Sequence, residues 1–170
     1  RSTLFPYTTL FRSRTGYHHN QRARLEIVGD GIQRASITQW IQEHNLGNVI
    51  TLHGWQQSVA PLMKQWHAFV LSSLWEGLPC ALVEARLLQL PVISYAVGGI
   101  PEIIMHEQNG LLCSPKDISA LANNMLRIMH EQTLYQKMQT HSDYLTDFDT
   151  TQMVQEHLHL YKKLRMFLQK

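Results

Sequence analysis

At 170 residues, with 44% hydrophobic and 16% charged side chains, the chain has the length and composition of one compact globular domain, which excludes a disordered or fibrous protein. A formal net charge of +2 gives no electrostatic reason to invoke nucleic acid. No apolar run approaches the roughly 18 residues that a membrane-spanning helix needs. From the N-terminus, residues 3–13 (TLFPYTTLFRS) match the in-frame conceptual translation of a common short-read sequencing adapter. The segment is hydrophobic, yet it is too short to span a bilayer and has no small-residue cleavage site. Residues 1–13 are therefore read as an artefact, the alternative being a genuine strand over 4–11. The natural protein is expected from about Arg14, as a single domain over 14–170 that has lost its upstream part.

Strands and helices are expected to alternate from there. Residues 25–28 (LEIV) read as a strand closed by Gly29-Asp30-Gly31, and a helix follows over 32–44 with Ile37, Trp40 and Ile41 on one face. Gly47 stops that helix. Residues 49–52 form a second strand, 59–65 a short helix, and 68–71 (AFVL) a third strand. A helix over 79–89 is broken by Leu90-Pro91. Then come a strand over 92–94, a turn at Gly98-Gly99, a short helix over 100–105 and a short strand over 110–113. Helices over 116–130, 133–145 and 149–169 close the chain. Strands that are apolar throughout, separated by helices, predict an α/β fold: a Rossmann-like parallel sheet flanked by helices on both faces. Ligands of such sheets sit at the carboxyl ends of the strands, where the glycine-rich loops of this chain fall.

The richest stretch is 72–85, SSLWEGLPCALVEA. A Gly-Leu-Pro elbow between a buried strand and a helix places the helix N-terminus at the carboxyl edge. There its free N–H groups and the positive end of the helix dipole form an anion site. Glu76 stands in the loop before the helix, and Glu84 lies about one and a half turns into it. Carboxylates beside a phosphate site make sense if the ligand also carries hydroxyls, and a nucleotide-sugar combines the two. A glycosidase would also need two carboxylates, about 5 to 10 Å apart across a cleft, but an elbow that opens a helix suits phosphate better.

Other signals are weaker. Val28-Gly29-Asp30-Gly31 is no dinucleotide fingerprint, because GxGxxG is absent, and it can be a plain strand-ending turn. Val97-Gly98-Gly99-Ile100-Pro101 is a second elbow, whose glycines allow close backbone approach and whose proline costs nothing in a first turn; a plain tight turn is the alternative. Cys80 and Cys113 lack CxxC spacing and read as free, partly buried thiols in a reducing cytosol. The histidines assemble into nothing, so no metal site is expected, although His53 could line the cleft. Met153, Leu158, Tyr161, Leu164 and Leu168 suggest a C-terminal packing helix. Lys162, Lys163 and Arg165 on it leave weak membrane-surface contact as the alternative.

Trp75-Glu76-Gly77-Leu78-Pro79 through Glu84-Ala85, then Gly98-Gly99-Ile100-Pro101-Glu102-Ile103 and Asn109-Gly110-Leu111-Leu112, resemble the donor-binding half of a glycosyltransferase family 4 enzyme. The likeness runs from about Leu25 to Tyr161. It implies the C-terminal half of a GT-B fold and a retaining transferase that displaces a nucleoside diphosphate from a UDP- or GDP-linked sugar without a cofactor. It implies that Glu84 accepts hydrogen bonds from the ribose and that Glu76, the catalytic candidate, contacts the transferred sugar. Backbone N–H groups of Gly77, Leu78, Cys80, Ala81 and Leu82 would meet sugar and diphosphate. Gly98 and Gly99 would border the sugar and phosphates, Asp30 would lie in a loop near the nucleotide, and Gly54, Trp55 and Gln56 would lie at the base. Trp55 could instead simply be packed.

Two departures stand against these matches. The resembling enzymes carry a Gly-Arg-Leu…Lys-Gly segment whose cations neutralise the leaving diphosphate, and nothing between Arg14 and Arg24 fits it. The acceptor domain is also missing, so the acceptor is unknown and this piece alone is expected to bind donor weakly and to transfer nothing. Loss of the first strand is expected to open a sheet edge. The resemblance further implies a cytoplasmic protein, with the inner membrane face as an option, and a role in bacterial polysaccharide or lipopolysaccharide synthesis. Alternatives are a GT-B sugar-nucleotide epimerase or a non-catalytic nucleotide-sugar-binding module.

Overall fold

The structure, a computed structural model, describes residues 9–12, 23–141 and 150–168. The described strands are β1 (Thr9–Arg12), β2 (Arg24–Val28), β3 (Ile50–Gly54), β4 (Ala68–Leu71), β5 (Val92–Tyr95) and β6 (Gly110–Cys113). They form one sheet in the order β3-β2-β1-β4-β5-β6. Helices α1 (Arg34–Glu43), α2 (Ala60–Met63), α3 (Cys80–Leu87) and α4 (Ile100–Ile103) connect successive strands, and α5 (Ile118–His130), α6 (Gln132–Thr140) and α7 (Thr150–Leu168) follow β6.

β4 (AFVL) and β5 (VISY) are buried at every position, as continuous apolar strands covered on both faces must be. One face packs Phe69, Leu71 and Val92 against Met63 of α2, Leu82 of α3 and Ile100 of α4. The opposite face packs Ala68, Val70, Ile93 and Leu111 against Ile128 of α5 and Met138 of α6. Each fully buried Leu, Ile, Phe or Met contributes about 1.5–3 kcal/mol, so these two layers dominate the fold's stability. Asp117 caps α5, its carboxylate accepting from the Ala120 amide at 2.8 Å.

The sheet departs from the expected all-parallel arrangement at one strand. β2 pairs parallel with β3, and β4, β5 and β6 are mutually parallel. β1 runs antiparallel to both neighbours, with Leu10 opposite Glu26 on one side and Phe69 on the other. A parallel return needs a crossover of a dozen or more residues, usually with a helix, whereas only the residues 13–23 separate β1 from β2. Part of the segment read as an artefact thus forms a strand, and the expected open edge between β2 and β4 is occupied by it. Its remaining residues lie outside the described ones.

Element boundaries shift in small, explicable ways. α1 starts at Arg34, not at 32, and leaves Ile32 96% exposed in the preceding turn. Trp40 turns outward and stacks on His44 at 4.3 Å, so only Ile41 of the predicted apolar trio is fully buried. Pro79 is the N-cap of α3. Gln89 adopts φ 58° after the C-cap Leu88, and Leu90-Pro91 leads straight into β5. The helix expected over 133–145 is α6, and positions 142–149 lie outside the described residues. On α7 the apolar side chains of Met153, Val154, Leu158, Leu160, Tyr161 and Leu164 are all exposed.

Candidate functional site

Three loops gather at the carboxyl edge of the sheet, after β2, β3 and β4, and a fourth joins them after β5. The β4 loop ends at Pro79, whose extended backbone turns the chain into α3. The Pro79 carbonyl accepts from the amides of Leu82 at 3.0 Å and Val83 at 3.3 Å. The first-turn amides of Cys80 and Ala81 are left as the open donors at the positive end of the helix. Leu82, expected among the open donors, is fully buried and has its amide committed inside the helix, so it leaves that set. Glu76 is half-buried in the loop and Glu84 is exposed on α3. Neither carboxylate is tied by a hydrogen bond or ion pair to any described residue.

The loop after β5 is docked onto this one through its backbone. The Gly99 amide donates to the Gly77 carbonyl at 2.8 Å. Gly98 has φ 52°, and a Cβ on it would overlap the Glu76 carbonyl oxygen. A Cβ on Gly99 would stand 2.7 Å from the Gly77 oxygen. Gly77 itself is exposed with open space around it. The structure therefore brings Glu76, Gly77, Leu78, Gly98 and Gly99 together at one point, beside the start of α3.

The loops after β2 and β3 are joined separately. The Gly29 amide donates to the Gly54 carbonyl at 2.8 Å, and Gly54 has φ 68°. The Arg34 guanidinium lies where a Gly54 Cβ would be, and it is held by the Asp30 carboxylate at 2.7 Å. The Asp30 carboxylate also accepts from the Gly31 amide at 2.8 Å, so both of its oxygens shape the loop. A shallow recess at this corner is lined by Ile27, Ile37 and Leu52 together with Asp30, Gln33 and Arg34. Gln56 turns back to donate to the His53 carbonyl. Trp55 is 72% exposed, so packing does not account for it.

His53 does not open into the cleft. Its Nε2 lies 3.1 Å from a Glu26 carboxylate oxygen, which also accepts from the Trp66 indole N–H at 3.0 Å. Cys80 is exposed rather than partly buried, whereas Cys113 donates weakly to the Ser94 carbonyl. Burial, and then the nearby Asp117, push the Cys113 thiol up from its ordinary pKa; burial, Cys113 and Asp117 do the same to the Tyr95 phenol. Among the described residues no three His, Cys, Asp or Glu side chains converge as metal ligands do. No described helix is long and apolar enough to cross a membrane. Arg34 and the Glu26–His53–Trp66 group were not expected from the sequence. Only the Asp30–Arg34 spacing of four residues could have signalled the first.

Residues 11–143 match the family described as "Glycosyl transferases group 1". Over 116 residues the chain is 31% identical to the N-acetyl-alpha-D-glucosaminyl L-malate synthase of Bacillus anthracis, covering 68% of this chain and 30% of that protein. It is 33% identical over 109 residues to the UDP-Gal:alpha-D-GlcNAc-diphosphoundecaprenol alpha-1,3-galactosyltransferase of Escherichia coli, covering 64% of this chain and 28% of that protein. The chain thus spans less than a third of the length of these curated relatives. Its fold is similar to that of Anabaena HepE in complex with UDP, with a TM-score of 0.73, 22% identity, and coverage of 81% of this chain and 40% of that one.

Proposed function

Because the chain belongs to the glycosyl transferases group 1 family, we propose that it is the donor-binding part of an enzyme that moves a sugar from a nucleotide-sugar to an acceptor. The observation that carries this reading is the start of α3. Two open amides at a helix N-terminus are flanked by two carboxylates, Glu76 and Glu84, that no described residue engages. A diphosphate satisfies the amides and the helix dipole. The ribose hydroxyls donate to Glu84, the transferred sugar meets Glu76, and the base lies toward Gly54, Trp55 and Gln56. UDP in the Anabaena complex and UDP-galactose in the name of the Escherichia coli relative favour a uridine donor over a guanosine one.

In the whole enzyme the nucleoside diphosphate leaves with net retention at the anomeric carbon, and an upstream domain supplies the acceptor. The lipid-linked acceptor named for the Escherichia coli relative supports a role in bacterial polysaccharide or lipopolysaccharide assembly at the inner face of the membrane. Lys162, Lys163 and Arg165 beside the exposed apolar residues of α7 support a peripheral contact there. The artefactual origin of residues 1–13 belongs to the same proposal. Titration calorimetry with UDP tests the site. A hydrogen bond to a charged group is worth about 1.5–3 kcal/mol, so Glu84→Gln weakens UDP binding about ten- to hundredfold. Unchanged affinity in that variant would refute the reading.

A further inference from the structure

We infer that Gly98 and Gly99 are positioning residues that act on the transferred sugar through Glu76, by fixing the Glu76–Gly77 turn, and not by touching the donor themselves. The inference rests on the reading of Glu76 as the sugar contact. β4 and β5 are adjacent parallel strands, so the loops that leave their carboxyl ends lie side by side. Glu76 is five residues beyond the end of β4, and no side-chain bond anchors its carboxylate. Gly77 follows with open space around its α-carbon, and a glycine so placed gives the turn the widest backbone freedom of any residue. Left to itself, this turn would hold Glu76 in no single direction.

The loop after β5 removes that freedom. Two successive carbonyls, those of Glu76 and Gly77, face Gly98 and Gly99. The second accepts the Gly99 amide at 2.8 Å, and the first lies so close to Gly98 that no side chain fits between them. The hydrogen bond fixes the peptide plane after Gly77, the close packing on Gly98 restrains the plane before it, and the backbone from which the Glu76 side chain leaves is restrained with them. The contact also uses up the Gly99 N–H, which is then not available to a phosphate. The two glycines differ in why they must be glycine. Gly98 needs both its left-handed φ of 52° and the missing Cβ. Gly99 has an ordinary φ of −79°, so only the close approach to the Gly77 oxygen demands it.

Gly99→Ala therefore isolates the clamp from backbone strain. The full 170-residue chain is titrated with UDP and with a UDP-hexose, and the preference for the second over the first measures the sugar contact. Glu76→Gln lowers that preference about tenfold, as loss of one hydrogen bond to a charged group would. Gly99→Ala lowers the preference to a similar extent, with UDP affinity within about twofold, and the double variant falls no further than Glu76→Gln alone. Equal losses for both ligands in Gly99→Ala, or additive losses in the double variant, overturn the proposal while the reading of Glu76 stands. An unchanged preference in Glu76→Gln refutes that reading and the proposal with it. Should Gly99→Ala fail to fold, hydrogen exchange in the unaltered chain decides: the Gly99 amide is protected without ligand, and rapid exchange there overturns the clamp.

Discussion

Arg86 is the most consequential polar side chain that the fold encloses. It lies in the last turn of α3 with 1% of its surface exposed. One guanidinium nitrogen donates to the Leu90 carbonyl at 2.7 Å and the Met138 carbonyl at 3.2 Å, and the other reaches the His141 carbonyl at 3.4 Å. The side chain thus ties the helix that opens the candidate site to the end of α6. Arg86→Met keeps most of the length and supplies no donor. Removing a buried charge can be neutral or even stabilising when its partners go too. The three carbonyls named here belong to the backbone and stay behind. The 2.7 Å bond is worth about 1.5–3 kcal/mol, the 3.2 Å bond less, and the one at 3.4 Å little. Relief of guanidinium desolvation offsets part of the sum, so Arg86→Met destabilises the chain by about 2–3 kcal/mol. Arg86→Ala adds a cavity and loses about two more. Arg86→Lys falls between wild type and Met, because a single ammonium cannot span three acceptors. With a urea slope of about 2 kcal/mol per molar, the Met variant's midpoint in circular dichroism drops by about 1–1.5 M. A midpoint that stays put or rises in Arg86→Met would refute the reasoning.

Two further outcomes follow from the backbone and the thiols. Gln89 holds φ 58° with its amide on the Arg86 carbonyl, so Gln89→Gly removes about 1–2 kcal/mol of left-handed strain against about 0.5–1 of added chain entropy. A gain of about 0.5–1 kcal/mol raises the thermal midpoint by about 2 °C, and a fall would show the strain to be absent. Iodoacetamide at pH 8 modifies exposed Cys80 well before Cys113, whose raised pKa leaves little thiolate at that pH. Saturating UDP slows the Cys80 reaction. Equal rates at the two thiols by mass spectrometry would contradict the burial of Cys113, and no protection by UDP would place the phosphates elsewhere.

The parts of the fold legible in the sequence are those written in local pattern. The apolar run at 68–71, the short strand pattern at 92–94 and the Gly-Leu-Pro elbow located β4, β5 and the start of α3 without any partner in view. What escaped is what depends on partners distant in sequence. The docking of Gly98 on Glu76 joins residues twenty-two apart, and two glycines in a loop look the same whether they meet a ligand or a carbonyl. Arg86 reads as an ordinary charged helix residue until α6 is placed over it. Leu82 is apolar and its amide is spoken for, a distinction set by where α3 begins rather than by its composition. The direction of β1 was equally out of reach, since strand propensity says nothing about orientation.

That direction has a consequence for how the molecule comes apart. Every ladder hydrogen bond between the β2–β3 pair and the β4–β5–β6 group runs through the four residues of β1. Beyond that strand, the Glu26–Trp66 bond and Val28 in the core of α2 and α3 help to bridge the two parts. β4 and β5 are buried at every position, while β2 and β3 are mostly half-covered. The β2–β3 leaf, half-covered and joined in the ladder through one short strand, is therefore expected to open at a lower free energy than the β4–β5–β6 group.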